Sequence, residues 1–165
     1  MEAYSADHWQ AVFSALAASA AALTGLLFVA LSINLRQVLE GRGLVGRAVE
    51  VLILLTGTLI AATLLLMPAQ TRQSVAIEVL AIGIALAGTI GMIQLRAPRK
   101  ALGVSGRNFA LRVVGAQCGP VCLLIGGVSL MAGAGGGLYW VVPALLATTV
   151  AGIVGAWVML VEILR

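Results

Sequence analysis

Five apolar runs divide this 165-residue sequence, and each is about as long as a membrane-spanning helix. A helix needs about 20 mainly apolar residues to cross about 30 Å of hydrocarbon. The runs cover residues 11–35, 48–67, 75–95, 111–131 and 138–164. None alternates polar and apolar residues as barrel strands do, and only helices and closed barrels satisfy their backbone in lipid. The pattern predicts an all-α integral membrane bundle of five helices, forming a single transmembrane domain over residues 1–165.

Composition excludes other classes of protein. The chain is 61% hydrophobic and 10% charged, whereas a soluble domain is about 45–50% apolar and about 25% charged. Disorder requires low hydrophobicity and is excluded too. Two cysteines four positions apart and one distant histidine indicate neither a disulfide framework nor a metal site. We expect no cofactor, and the lipid bilayer is the expected partner.

The basic residues predict the orientation of the chain. Nine of the ten lysines and arginines lie on one side of the predicted membrane, and Arg72 lies on the other; the nine are Arg36, Arg42, Arg47, Arg96, Arg99, Lys100, Arg107, Arg112 and Arg165. The positive-inside rule then places the N-terminus outside and the C-terminus in the cytoplasm. Because the net charge of +4 lies in these connections, we read it as an orientation signal and expect no nucleic-acid partner.

Small residues recur every four positions in three of the runs. Such spacing lets helix backbones approach closely in lipid. The stripes are Ala17, Ala21 and Gly25 in the first run, Gly83, Ala87 and Gly91 in the third, and Ala144, Thr148, Gly152 and Ala156 in the fifth. They fit packing within one bundle, or packing of at least one stripe against another subunit. Because five helices can bury only so much among themselves, we expect a homo-oligomer.

One narrow face of the first helix suits the lining of a pore. At about 100° per residue, this face contains Ser14, Ala18, Ala21, Gly25, Phe28, Ser32 and Arg36. Phe28 would then be a hydrophobic constriction that gates by dewetting, and Arg36 would form a basic ring at the cytoplasmic mouth. The alternative is that this helix is the central packing helix, with Ser14 and Ser32 hydrogen-bonded to their own backbone.

The fourth run contains a candidate hinge. Pro120 removes a backbone hydrogen bond and should kink the helix. The kink is either a gating hinge or a static bend filled by a neighbour. Gln117, one turn earlier, lies deep enough in the run to need a hydrogen-bond partner, and we interpret Cys118 and Cys122 as small apolar residues.

Three carboxylates lie near the ends of the runs. We expect Glu50 to pair with Arg47 and Glu78 to lie within reach of Arg72. Glu162, near Arg165, is the third charged candidate. Carboxylates at membrane depth are functional candidates by default. None lies at the midplane, which argues against a proton pump or secondary transporter, and no catalytic motif is present, so we expect no enzyme activity.

The segment from Ala20 to Leu35, AAALTGLLFVALSINL, resembles the first helix of a group of small bacterial membrane proteins, especially actinobacterial ones. Most are called hypothetical, and some are described as modulators of a membrane protease. The resemblance covers about 25 residues and implies the bacterial plasma (inner) membrane.

Residues 19–31 are also similar to the pore-lining first helix of Orai calcium channels. Orai channels carry a glutamate near the end of that helix, where this sequence has Ser32, Ile33 and Asn34. Their N-terminus is cytoplasmic, opposite to the orientation predicted here. The resemblance therefore implies a helix that lines a pore, without calcium selectivity.

These observations favour a homo-oligomeric channel or pore for small ions, with the first helix near the axis. The alternative is an accessory or regulatory subunit that packs against a larger membrane complex. A third class, an intramembrane enzyme or transporter, would depend on Glu50, Glu78 or Gln117.

Overall fold

The structure, a computed structural model, describes Tyr4 and residues 6–41, 43–96 and 106–163. In chain order its helices are α1 (Gln10–Ile33), α2 (Leu35–Glu40), α3 (Leu44–Leu64), α4 (Arg72–Arg96), α5 (Gly106–Ala132) and α6 (Leu138–Ile163). A short 3-10 turn, Ala6–Trp9, precedes α1. These described residues form no strand. All helices except α2 are long and apolar enough to cross a membrane, which confirms the all-α prediction with five such helices.

Four of the long helices form a closed ring. Helix α4 packs against α5, α5 against α6, α6 against α3, and α3 against α4. Helix α1 lies outside this ring, where it contacts α3 extensively and α6 more weakly. The prediction that the first helix is the central packing helix of the chain is therefore wrong, because α3 occupies the position between α1 and the other helices.

The two ends of the bundle differ in chemistry. At one end, here called the basic end, α1, α4 and α6 finish and α3 and α5 begin. At the opposite, aromatic end, the rings of Trp9 and Tyr139 meet edge to face with their centroids 5.0 Å apart. The Tyr4 hydroxyl there accepts a hydrogen bond from the Gly136 backbone N–H at 3.3 Å. The residues Arg42, Arg99, Lys100 and Arg165 lie outside the described part of the chain.

The first predicted span continues to residue 35, but α1 ends at Ile33. Asn34 turns its side chain back, and its Nδ2 donates to the Ala30 carbonyl oxygen at 2.9 Å. Arg36 therefore belongs to α2 and not to the face of α1. Within α2, the Arg36 Nε donates to Glu40 Oε1 at 2.9 Å. The sequence pattern missed α2, which is too short and too polar to show as an apolar run.

Helix α3 is displaced toward the N-terminus relative to the predicted span 48–67. Gly43 has a φ of 80°, a left-handed conformation that suits glycine, and the helix begins at the next residue. It ends at Leu64, where the chain tightens into a turn in which the Met67 backbone N–H donates to the Leu64 carbonyl oxygen at 3.0 Å; Pro68, which disfavours helical geometry at Met67, follows. Helices α4 and α5 each begin before the predicted apolar run, in polar residues that the hydropathy pattern did not include.

The small-residue stripes of α4 and α6 pack inside the chain. A Cβ atom added to Gly83 would lie 2.9 Å from Leu124 Cδ2, and one added to Gly152 would lie 2.8 Å from Leu55 Cδ2. Thr148 is buried, and its Oγ1 lies 3.1 Å from the Oγ1 of Thr58. Two of the three predicted stripes are thus explained by packing within one bundle.

Candidate functional site

Every residue of the predicted pore face is exposed in the single chain. Ser14, Ala18, Ala21, Gly25, Phe28 and Ser32 lie on the side of α1 that contacts no other described helix, and Arg36 is exposed on α2; these positions are all solvent-accessible in the structure. We call the six residues on α1 the outward face. The opposite face of α1 is buried on the ring through Phe13, Leu16, Ala20 and Leu27.

The aromatic-end half of α1 presents only small side chains on its freely exposed surface. Apart from Val12, which is 38% exposed, the exposed residues between positions 11 and 25 are Ala11, Ser14, Ala15, Ala18, Ser19, Ala21, Ala22 and Gly25. A Cβ added to Gly25 would have no other atom within 4 Å. Another helix could therefore approach this half of α1 closely.

Two of the hydroxyl groups of α1 are already hydrogen-bonded to the backbone of their own helix. The Ser32 hydroxyl donates to the Phe28 carbonyl oxygen at 2.8 Å, as the sequence analysis predicted for a serine bonded to its own backbone. The Thr24 hydroxyl donates in the same way to the Ala20 carbonyl oxygen at 2.7 Å. The side chain of Asp7 lies outside the described residues.

A buried carboxylate ties three helices together near the basic end. Glu50 on α3 is only 4% exposed, and its Oε2 forms an ion pair with the Arg112 guanidinium of α5. Its Oε1 accepts a hydrogen bond from Gln94 Nε2 of α4 at 2.8 Å. The predicted pair of Glu50 with Arg47 is wrong, since Arg112 and Gln94 reach the carboxylate from neighbouring helices.

Arg47 forms the second ion pair at this end. Its guanidinium contacts Glu162 Oε2 of α6. The predicted partner of Glu162, Arg165, lies outside the described residues. Arg47 and Glu50 are three residues apart and so lie on the same side of α3. A single turn of α3 thus forms two ion pairs, through Arg47 with α6 and through Glu50 with α5.

Glu78 lies at the aromatic end and also has a different partner from the predicted one. Gln70 Nε2, in the connection between α3 and α4, donates to both of its carboxylate oxygens at 2.9 Å. Arg72 lies instead against the connection between α5 and α6, where a Cβ added to Gly133 would meet its guanidinium. Glu78 is therefore held by an amide, not by a cation.

A cavity of about 470 Å³ lies between α3, α5 and α6 at the basic end. Its polar lining comprises both ion pairs, Arg47 with Glu162 and Glu50 with Arg112. Its apolar lining includes Val51, Leu54, Ala116, Ala151, Val154 and Val158. We call this space the charged cavity. Arg47 and Glu50 of α3, Arg112 of α5 and Glu162 of α6 all line this one cavity.

The close contact of α5 and α6 ends where the charged cavity begins. At Gly119 the two helices approach so closely that an added Cβ would lie 2.5 Å from Thr148 Cγ2. The cavity is lined on α5 by residues 109–116 and on α6 by residues from 151 onward. Pro120 is buried beside this contact, which favours a static bend, and movement about Pro120 stays a prediction.

Gln117 finds the partner that its depth requires. Its Nε2 donates to the Ala87 carbonyl oxygen of α4 at 3.2 Å and lies 3.5 Å from the position of a Cβ on Gly91. Ala87 and Gly91, which belong to the small-residue stripe of α4, therefore leave room for the Gln117 side chain of α5. Over the described ranges, no three His, Cys, Asp or Glu side chains come together as metal ligands would.

No protein-family model, no curated protein and no solved structure matches this chain. The resemblances of the first helix, to small bacterial membrane proteins and to Orai channels, therefore stay predictions.

Glu50 and Glu162 are candidates from the sequence, whereas Gln94 and Arg112 emerge as members of the same site only in the structure. Both are visible in the sequence as polar residues at the edge of an apolar run, at the end of the third and the start of the fourth. Because consecutive spans cross the membrane in opposite directions, the end of the third run and the start of the fourth lie at the same membrane surface as the start of the second run, which contains Glu50. The sequence therefore places Gln94 and Arg112 at the same surface as Glu50, and only the packing of the helices brings them into contact with it.

Proposed function

We propose that this protein is a homo-oligomeric membrane pore for small ions, with α1 of each subunit nearest the axis. The observation that supports the proposal is the difference between the stripes of small residues. Those of α4 and α6 are covered within the chain, whereas in the α1 stripe only Ala17 is half-buried, and Ala21 and Gly25, with the rest of the outward face, are exposed. Five of the six residues of this face are alanine, glycine or serine, which allows several copies of α1 to approach one another.

The proposal includes the orientation and the membrane. The basic end lies in the cytoplasm and the aromatic end outside, in keeping with the distribution of arginine and lysine. The bacterial plasma membrane follows from the resemblance of the first helix. In this arrangement Phe28, 65% exposed, narrows the passage, and Arg36 lies at its cytoplasmic mouth.

Conductance of the reconstituted protein tests this arrangement. In planar bilayers, Phe28→Ala should raise the single-channel conductance, because it removes an apolar constriction. Leu26→Ala is the matched control, since Leu26 is similarly exposed, at 68%, but lies on a different side of α1. The proposal fails if neither the natural protein nor Phe28→Ala passes current, or if both variants change the conductance equally.

The charge at the mouth is tested separately. Arg36→Glu should shift the reversal potential in a salt gradient toward cation preference, because a ring of positive charge becomes negative. Glu40 pairs with Arg36 in the single chain, so Glu40→Gln should shift the preference in the opposite direction. Equal reversal potentials in all three proteins would contradict a pore with this mouth.

A second candidate, an accessory subunit of a larger membrane complex, is favoured by the low polarity of the outward face. It has two hydroxyl groups, and one of them, on Ser32, is already bonded to the Phe28 carbonyl. Such a face could equally pack against a helix of another protein. This candidate predicts one copy bound to an unrelated membrane protein in native mass spectra, and little effect of Ser14→Ala or Ser32→Ala; a closed ring of identical chains would contradict it.

A further inference from the structure

The charged cavity combines four charges with an apolar wall. Around it the charges alternate in sign: Arg47, then Glu50 on the same side of α3, then Arg112 on α5 and Glu162 on α6. Arg112 and Glu50 are mostly buried, with side chains 18% and 5% exposed. Arg47 is also 18% exposed, so three of the four charges are built into the bundle, and Glu162, 45% exposed, lies at the cavity's edge.

The alternation selects among ligands by charge. A purely anionic ligand would approach two carboxylates, and a purely cationic ligand would approach two guanidinium groups. A ligand that carries both signs can direct each group to its opposite, with an anionic phosphate on the arginines and an ammonium on the glutamates. Guanidinium groups bind phosphate with paired hydrogen bonds, so this arrangement suits a phosphate next to an amine.

The apolar wall indicates that the rest of the ligand is hydrocarbon. A volume of about 470 Å³ falls within the range of about 300–1,000 Å³ that is usual for small-molecule sites. The lining residues Leu111 and Val154 are largely exposed on the outer surface of α5 and α6. The cavity thus adjoins the surface that lipid chains would contact, so a headgroup can enter while its chains remain outside.

The amine is expected to carry N–H groups. Quaternary ammonium groups are recognised by cages of several aromatic rings, and among the described residues that line the cavity one, Phe109, is aromatic. Carboxylates such as Glu162, by contrast, accept hydrogen bonds from a primary ammonium.

From these four observations we propose that the charged cavity binds one phosphatidylethanolamine molecule from the surrounding leaflet. The phosphate lies on Arg47 and Arg112, the ammonium on Glu162 and Glu50, and the first part of the acyl chains on the apolar wall. This inference does not depend on the protein being a pore.

Lipid competition tests the proposal. The full-length protein is reconstituted with equal amounts of phosphatidylethanolamine, phosphatidylcholine and phosphatidylglycerol, and the lipid that stays bound is counted by native mass spectrometry. We expect one phosphatidylethanolamine per chain, at about tenfold preference over either other lipid, a ratio that corresponds to one decade in affinity. Equal retention of the three lipids, or preference for another, would overturn the proposal.

Filling the cavity gives the decisive variant. Gly115 lines the cavity, and a Cβ added there would meet no atom within 4 Å, so Gly115→Leu can be accommodated by the fold while occupying ligand space. Gly88→Leu is the matched control, since Gly88 is equally unobstructed but lies on α4 outside the cavity. Gly115→Leu should lower the retained phosphatidylethanolamine about tenfold, and Gly88→Leu should leave it unchanged.

A charge-neutral double variant keeps the test decisive if Gly115→Leu does not fold, which circular dichroism would show. R47Q/E162Q removes one pair of charges without changing the net charge, and Glu162 is 45% exposed, so the fold should tolerate it. The preference for phosphatidylethanolamine over phosphatidylglycerol should then disappear. Unchanged preference in R47Q/E162Q, or unchanged retention in a folded Gly115→Leu, would overturn the proposal.

Discussion

Two regions of this molecule carry small residues on their helix surfaces but differ in what covers them. Inside the ring of α3 to α6, glycines meet neighbouring helices so closely that an added Cβ would collide, as at Gly119 and Gly152. On the outward face of α1, Gly25 has no other atom within 4 Å. The spacing of small residues therefore predicts where a helix can be approached, and the structure shows which of these surfaces is still uncovered.

The ring should be most sensitive to the loss of its buried charge pair. Arg112→Leu leaves Glu50 buried with Gln94 as its remaining partner, and removing one member of a buried pair costs about 3–5 kcal/mol. Unfolding by SDS in mixed micelles should show a loss of this size. The double variant E50L/R112L should recover most of it; a loss below about 1 kcal/mol in Arg112→Leu, typical of surface pairs, would contradict the burial.

Overpacking the ring should have the next largest effect. In Gly119→Leu the new side chain would meet Thr148 Cγ2 and the Ala144 carbonyl oxygen, at 2.5 and 2.9 Å from its Cβ. Such overpacking costs about 1–3 kcal/mol. The same SDS titration measures it, and Gly88→Leu, at an unobstructed glycine, should be unaffected. Equal stability of the two variants would mean that α5 and α6 do not approach as described.

The hydroxyl contact between Thr58 and Thr148 should matter less. Thr148→Val keeps the shape of the side chain and removes one oxygen from the 3.1 Å contact. Interhelical hydrogen bonds in membrane proteins contribute about 0.6 kcal/mol on average. The free energy of unfolding should fall by about that amount; a fall above about 2 kcal/mol would indicate a larger role for this pair than hydrogen bonding explains.

The outward face of α1 should show the opposite behaviour. Gly25→Leu should leave the unfolding free energy of the single chain unchanged within about 0.5 kcal/mol, as is usual for surface substitutions. It should nevertheless lower the oligomeric fraction in native mass spectra, because the side chain separates neighbouring copies of α1. An unchanged oligomeric fraction would indicate that this face contacts lipid, and would remove the support for the pore.

Hydropathy was enough to predict the number and type of the long helices, because a run of about 20 apolar residues admits few other structures. It could not predict α2, since the segment from Leu35 to Glu40 is only six residues long, half of them polar or charged, and forms no run of membrane-spanning length. The helix ends differed by several residues where local geometry decided, at Asn34, Gly43 and Pro68.

The ion pairs were predicted less well than the helices. Sequence proximity suggested Arg47 for Glu50 and Arg72 for Glu78, whereas both carboxylates are held by residues from other segments. Which helices become neighbours depends on tertiary packing, and a single sequence does not reveal it. The charged cavity was missed for the same reason, because its lining comes from three helices that are far apart in the sequence.

The partners of Arg47 and Glu50 at the basic end are synthesised later than these two residues, because the chain is made from its N-terminus. Arg47 and Glu50 leave the ribosome early, while Gln94 follows Glu50 by 44 residues and Arg112 by 62. Glu162 follows Arg47 by 115 residues, which at about 5–20 residues per second is a delay on the order of ten seconds. A half-made chain therefore carries unmatched charges on α3, and only the arrival of α6 completes their neutralisation.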